Sequence, residues 1–181
     1  MKKTIAILFI SLLLTSCFKS EKTEMPPSIQ PLFSNNTGLY DKIKDNQITV
    51  EQYLDLNSKF YDEFLKRNTA KKLPSGLIYE VMQIGKGNSP KIGSRVKVNY
   101  AAFLIDGTIV DDSTKRGIET IELKRAIKGW QEGIPLMKTG SKFRFVVPAN
   151  LAYNQNSDGK IPGNSSLIFE IELLEIVRQG L

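Results

Sequence analysis

Residues 95–111 read RVKVNYAAFLIDGTIVD, and the period of this stretch decides the fold. Val96, Val98, Tyr100, Ala102 and Leu104 occupy alternate positions, the repeat of a strand with one buried face. Asp106-Gly107 is a strong two-residue turn signal, and Thr108-Ile109-Val110-Asp111 resumes the β-prone pattern beyond it. A hairpin with antiparallel pairing is expected. Upstream, Leu77 to Gln83 forms another β-prone run that stops at Gly85-Lys86-Gly87. Downstream, Lys142 to Val147 and Ser166 to Val177 complete the strands, the second with Leu167, Phe169, Ile171 and Leu173 on one side. Between them the glycine-flanked segment from Gly129 to Met137 is apolar on one face and long enough for two or three helical turns. One short helix on a curved, half-buried antiparallel sheet is an α+β domain.

A second helix precedes the sheet. Thr49 and Gln52 have capping-box spacing, and Val50, Tyr53, Leu54, Phe60, Tyr61, Phe64 and Leu65 follow at three- and four-residue steps. The helix should stop near Asn68, before Pro74 and Gly76. Its aromatic stripe needs a surface, and docking against the C-terminal domain is the simpler answer. A dimer contact through residues 49–67 is the alternative.

The N-terminus has a different character. Met1-Lys2-Lys3, the apolar run Ile5 to Leu14 and small residues before Cys17 make a short secretory signal, too short for a transmembrane helix. Leu14-Thr15-Ser16-Cys17 resembles the bacterial lipobox, in which cleavage leaves a lipidated cysteine at the mature N-terminus. Cys17 is also the only cysteine, so the chain can form no internal disulfide. Phe18, where aspartate is absent, resembles the pattern for sorting to an outer membrane. The expected organisation is a signal peptide over 1–16, a lipidated cysteine and tether rich in polar residues and proline over 17–47, a helical segment over 48–73 and the sheet domain over 74–181. The expected location is the cell envelope.

Composition removes several functions. The 181 residues contain no histidine, which excludes imidazole bases, imidazole metal ligands and histidine-dependent triads. A net charge of +6 is spread among acidic residues without a basic block, so nucleic-acid binding is a poor reading. No metal-spaced ligands, paired carboxylates or phosphate-cradling glycine loop stand out, and Gly85-Lys86-Gly87 has neither Walker nor Rossmann spacing. Nothing suggests a cofactor.

In order, VNYAAFLIDGTIVDDSTKRG (98–117), AIKGWQEGIPLMKTG (126–140), FRFVVPANLAYN (143–154) and KIPGNSSLIFEIELLEI (160–176) resemble successive motifs of the FKBP family of peptidyl-prolyl cis/trans isomerases. The resemblance covers about residues 74–178. Phe60 to Gly76 is also similar to the linker helix of bacterial FKBP proteins of the macrophage infectivity potentiator type.

The resemblance implies a sheet wrapped round a short helix, an apolar pocket that receives a proline ring, and proline-containing polypeptide clients. It places catalytic positions on Tyr100, Asp111 and Tyr153 and substrate-binding positions on Val110, Arg116, Ile121, Ala126, Ile127, Trp130, Ile161 and Phe169. It further implies that Trp130 floors the pocket, that the Tyr153 hydroxyl and the Ile127 backbone N–H donate to substrate carbonyls, and that macrolides can enter. Asp111 has two readings, electrostatic support of a twisted amide or a structural carboxylate fixing the wall. Val110 stands where the family usually has phenylalanine and Ala126 where valine is common, which implies a roomier pocket; Asn154 and Ala102 stand at frequent glycines, the first changing the loop over the pocket. The expected function is prolyl isomerisation during folding of exported proteins. A non-catalytic peptide-binding or chaperone module on the same fold is the alternative, and a purely structural surface lipoprotein a third.

Overall fold

The computed structural model describes residues 38–177. The signal peptide, Cys17 and the tether up to residue 37 lie outside the described residues. Among those described, no helix is long and apolar enough to cross a membrane.

Seven strands form one sheet with all pairs antiparallel: β1 (Ala70–Lys72), β2 (Ile78–Gln83), β3 (Arg95–Leu104), β4 (Ile109–Asp112), β5 (Glu119–Glu122), β6 (Lys142–Val147) and β7 (Leu167–Val177). Their order is β1-β2-β6-β7-β3-β4, and β5 also pairs with β3. The long β3 therefore carries two partners on its outer edge: β5 along Arg95–Val98 and β4 along Ala101–Phe103. The gap between them falls at Tyr100, whose N–H donates to the Ser113 hydroxyl at 2.8 Å in place of a ladder partner. The Asp106-Gly107 turn is present, with Gly107 at φ 87° and the Leu104 N–H donating to the Thr108 carbonyl at 2.9 Å.

Three helices pack on this sheet: α1 (Leu39–Lys44), α2 (Val50–Leu65) and α3 (Lys128–Gly133), the last running into a single 3₁₀ turn over Ile134–Leu136. On one face, α3 lies against the alternate residues Val96, Val98, Ala102 and Leu104 of β3 and their neighbours on β6 and β7. The approach is very close. A Cβ on Gly129 would sit 2.5 Å from Val147 Cγ1, and one on Gly133 2.6 Å from Phe145 Cε1. Glycine at these two helical positions costs intrinsic helix stability of about 1 kcal/mol each, and the flat docking it permits sets the depth of Trp130 between them.

On the opposite face, α2 buries Tyr53, Asn57, Phe60 and Phe64 against Ile78, Ala101, Phe103, Val146 and Ile168. Its capping box is formed: the Gln52 N–H donates to Thr49 Oγ1 at 3.2 Å and the Thr49 N–H to Gln52 Oε1 at 2.8 Å.

Three expectations change. The sheet is covered on both faces rather than one, because α2 docks over the odd residues of β3. Val50 and Leu54 remain exposed, since Leu54 lies roughly 100° round the helix from Tyr53 at the centre of the buried stripe. Within the stretch read as tether, Leu39–Lys44 is helical and Leu39 is fully buried, its N–H donating to Asp106 Oδ2 at 2.8 Å. Strands β1 and β5 are too short for periodicity to reveal, and their pairing comes from the sheet edge.

Candidate functional site

Where α3 meets the sheet, packing is incomplete and leaves a cavity of about 790 Å³. Its floor is Trp130, held edge-on against Tyr100 (ring centroids 5.0 Å apart, 82° between planes) and against Phe169 (5.4 Å, 82°). The indole Nε1 is buried without a hydrogen-bond partner among the described residues. Val110 and Ile121 contribute from β4 and β5, Ala126 and Ile127 from the turn into α3, and Tyr153 and Ile161 from the loop between β6 and β7. The structure thus gathers Tyr100, Val110, Asp111, Ile121, Ala126, Ile127, Trp130, Tyr153, Ile161 and Phe169 around one space.

Arg116 does not line the cavity. It stands behind Asp111, donating from Nη1 to Asp111 Oδ1 and from Nη2 to Asp111 Oδ2 at 3.3 Å, to the Tyr100 hydroxyl at 3.3 Å and to Glu119 at 3.4 Å. Asp111 also accepts from the Tyr100 hydroxyl on Oδ2 and from the Asp112 N–H on Oδ1 at 2.8 Å. Burial alone pushes this carboxyl up, but the donors Arg116, Tyr100 and the Asp112 N–H outweigh it and hold it below the ordinary carboxylate range. Burial, reinforced by the Asp111 charge, raises Tyr100, so its phenol stays protonated and donating. The result is a rigid carboxylate whose acceptors are already engaged.

Two donors facing the cavity are uncommitted. The Tyr153 hydroxyl makes no hydrogen bond among the described residues; burial first, then the negative charges of Asp158 and Asp111, raise it, so it too keeps its proton. The Ile127 N–H, at the N-cap of α3, has no acceptor among them either, while the Ile127 carbonyl accepts from the N–H groups of Trp130 and Gln131 at 3.0 and 3.1 Å. An apolar hollow with two fixed donors can take an apolar ring and orient carbonyls beside it.

The sequence reading missed Arg95, Thr120, Glu122 and Arg125, which form the polar end of the cavity. Glu122 pairs with Lys124 at 2.8 Å, and its carboxyl is lowered by that hydrogen bond and by the nearby Arg125 and Arg95 charges. The register Arg95↔Glu122 places two of these residues side by side across β3 and β5, a pairing visible only once β5 is known. Asn154, read as a replaced glycine, adopts φ 57°, a left-handed conformation that asparagine tolerates better than most residues. Among the described residues no three histidine, cysteine, aspartate or glutamate side chains gather as metal ligands.

Comparison with known proteins points to one family. The signature described as FKBP-type peptidyl-prolyl cis-trans isomerase fits residues 86–174. The FKBP-type peptidyl-prolyl cis-trans isomerase FkpA of Aeromonas hydrophila is 43% identical over 133 residues, 73% of this chain and 47% of that protein. The peptidyl-prolyl cis-trans isomerase Mip of Coxiella burnetii is 44% identical over 111 residues, 60% of this chain and 48% of that protein. The chain thus spans about half the length of the curated relatives it matches. Among solved structures, the peptidyl-prolyl cis-trans isomerase of Pseudomonas syringae superposes with a TM-score of 0.67 at 30% identity, covering 72% of this chain and 97% of that one. FkpA from Escherichia coli gives 0.64 at 39% identity, covering 66% and 57%.

Proposed function

Since the chain belongs to the FKBP-type peptidyl-prolyl cis-trans isomerase family, we propose that its cavity catalyses rotation about X-Pro bonds in exported polypeptides. The observation that carries this reading is the aromatic-floored hollow with two uncommitted donors, Tyr153 Oη and the Ile127 N–H, at its wall.

The reaction breaks no bond. Amide resonance sets a barrier of about 18–20 kcal/mol, and the twisted transition state has lost conjugation and is less dipolar than either planar form. A water-poor pocket therefore penalises the planar amide more than the twisted one. The proline ring packs on Trp130 between Tyr100, Ile161 and Phe169, a burial that contributes on the order of 1.5–3 kcal/mol. Tyr153 and the Ile127 N–H receive the carbonyls flanking the ring and hold the peptide bent.

Asp111 faces the same space with its oxygens already engaged by Arg116, Tyr100 and the Asp112 N–H. This favours the carboxylate as the brace that fixes Tyr100 and the wall, its charge being a fixed part of the field felt by the amide. Arg116 then acts through Asp111 rather than on substrate. Val110 and Ala126 leave room for large apolar ligands, including macrolides, and for bulky residues before proline.

The lipobox at Cys17 and the short signal before it support export and a lipid anchor in the envelope, where slow X-Pro isomerisation limits folding. Multiple acyl chains on one residue would make that anchoring stable. The buried stripe of α2 is already occupied by the sheet, so a dimer through residues 49–67 would have to use the exposed Val50 and Leu54 flank.

The test is protease-coupled or NMR-exchange measurement of X-Pro isomerisation by the purified chain, with Asp111→Ala and Tyr153→Phe alongside. Acceleration that falls roughly ten-fold in each variant, the scale of one lost hydrogen-bonding group, is the expected result. No acceleration from the folded chain across several residues before proline would sink the enzyme reading, and a peptide-holding module would replace it.

A further inference from the structure

The loop that brings Tyr153 and Ile161 to the cavity is long and mostly exposed along 154–160. Its neck is closed by the Asn164 N–H donating to the Asn154 carbonyl at 2.6 Å, and its tip by reciprocal backbone bonds between Asp158 and Ile161 at 3.0 and 2.8 Å. What fixes it to the rest of the molecule is instructive. Among the described residues, the side-chain hydrogen bonds that reach residues 153–166 from elsewhere start on α1 or α2.

Tyr53 and Ser165 meet at 2.8 Å, and the Ser165 hydroxyl lies 2.6 Å from the Pro162 carbonyl. A carbonyl can only accept, so the single Ser165 proton goes to Pro162 and Tyr53 must be the donor. The order is Tyr53 Oη–H to Ser165 Oγ–H to Pro162 C=O, and Pro162 is the neighbour of Ile161 in the cavity wall. One turn further along α2, Asn57 Oδ1 accepts the Ser166 N–H at 2.9 Å while its Nδ2 donates to the Tyr53 carbonyl at 2.7 Å. Tyr53, Asn57, Ser165 and Ser166 are all at most 6% exposed, so these bonds are shielded from water. On α1, the Tyr40 hydroxyl donates to the Gly159 carbonyl at the loop tip at 3.3 Å.

We infer that Tyr53 and Asn57 are positioning residues for the isomerase site: from the far face of the sheet, α2 holds the 153–166 loop so that Ile161 and Tyr153 stay at the cavity wall. This rests on the isomerase reading and extends it, making the helical segment a working part of the site. If the loop occupies its wall position for only a fraction of the time, apparent substrate affinity falls by that fraction while the chemistry within the bound complex is unchanged.

The experiment uses the full chain with Tyr53→Phe, Asn57→Ala and, as a stability control, Phe64→Leu, which sits in the same helix and core but makes no hydrogen bond to the loop. The measurements are KM and kcat for an X-Pro peptide, thermal midpoint, and amide hydrogen exchange. Tyr53→Phe and Asn57→Ala should raise KM about five-fold with kcat within two-fold, the scale of one lost buried hydrogen bond. They should also speed exchange at Ile161 and Asn164 while leaving β3 and β7 unchanged. Phe64→Leu should lower the midpoint without moving KM. Unchanged KM in both α2 variants, a KM rise without faster loop exchange, or an equal rise in Phe64→Leu would each overturn the inference. Should the unsubstituted chain fail to accelerate isomerisation, the functional reading fails instead; peptide affinity followed by Trp130 fluorescence then replaces KM, and the loop test stands independently.

Discussion

The two faces of the sheet are made by the same strands and solved in opposite ways. At β3 and β7, Phe103 lies opposite Ile168 and Ala102 opposite Phe169, so neighbouring residues feed different faces. On the α2 face, Phe60, Phe64 and Phe103 are no more than 1% exposed, and the core between helix and sheet is filled, the remaining groove lying at its edge beside Leu54 and Tyr61. On the α3 face, the small Ala102, Val110 and Ala126 leave a hollow lined by Trp130, Tyr100 and Phe169. The polar groups divide likewise. Arg144, in register with Glu80 and Glu170, donates to both at 2.7 and 2.6 Å, closing a buried ion network between strands. Across the sheet, Tyr153 and the Ile127 N–H have no such partner. The filled face holds the fold; the hollow one leaves hydrogen-bonding capacity unspent, which is what the proposed site would use.

The sharpest way to break this comparison is to truncate one aromatic on each face. Phe103→Ala should cost about 3–5 kcal/mol, the range for a fully buried phenylalanine whose cavity cannot collapse. Phe169→Ala should cost less, because its ring already borders open space, yet it should lower isomerase activity in proportion to the wall it removes. Denaturant unfolding beside kcat/KM reads both. Equal stability losses, or a larger activity loss from Phe103→Ala per folded molecule, would show that the faces are not functionally separate.

A smaller effect comes from refilling the hollow. Val110→Phe restores bulk at the wall, where an added aromatic contact is worth on the order of 1 kcal/mol. Peptide or macrolide affinity, measured by calorimetry, should rise about five-fold with little change in thermal midpoint. A fall in affinity would mean that the space beside Val110 is itself required by the ligand.

How much of this was legible in the sequence differs between the faces. The pocket residues could be placed because motif order carried them: of the eleven positions assigned, the structure gathers all except Arg116 around the cavity. The second covered face was also written in the chain. Tyr100 to Ile105 is an unbroken apolar run, the pattern of a strand buried on both sides, but alternation in Val96, Val98 and Leu104 dominated the reading. Leu39–Lys44 was hidden for a different reason. Six residues are too few to show a period, and what fixes that helix is a remote carboxylate, Asp106, receiving its first N–H. Glu119–Glu122 was missed similarly: the strand exists because β3 offers an edge, and with it went Thr120, Glu122 and the Arg95 pairing. The loop clamp from Tyr53 and Asn57 has a separation of more than a hundred residues, beyond any local pattern.

The least effect, and the most discriminating between the faces, is expected from pH. Asp111 has its folded-state pKa held below the ordinary 3.8 by Arg116, Tyr100 and the Asp112 N–H, against the opposing pull of burial. A depressed carboxyl contributes stability that is present above the unfolded value and is lost as pH falls through the folded one. The tyrosines behave in the opposite sense. Tyr53 and Tyr61 on the α2 face and Tyr100 and Tyr153 at the cavity are all raised, chiefly by burial, so their contribution is complete below the unfolded value of 10.0 and is lost as pH climbs through the folded ones. Alkaline loss is thus shared by both faces, whereas the Asp111 contribution belongs to the pocket alone. Urea midpoints of the unsubstituted chain and Asp111→Asn, followed from neutral pH downward, should differ by a constant amount until about pH 4 and then converge, because protonation then makes Asp111 as neutral as the asparagine that replaces it. On the alkaline side the unsubstituted chain should lose more stability than Asp111→Asn, because Asp111 is one of the groups that raise Tyr100 and Tyr153. A difference that persists unchanged to pH 2 would mean that Asp111 braces the wall through shape and hydrogen bonding without its charge, and that the hollow face is held by packing as fully as the filled one.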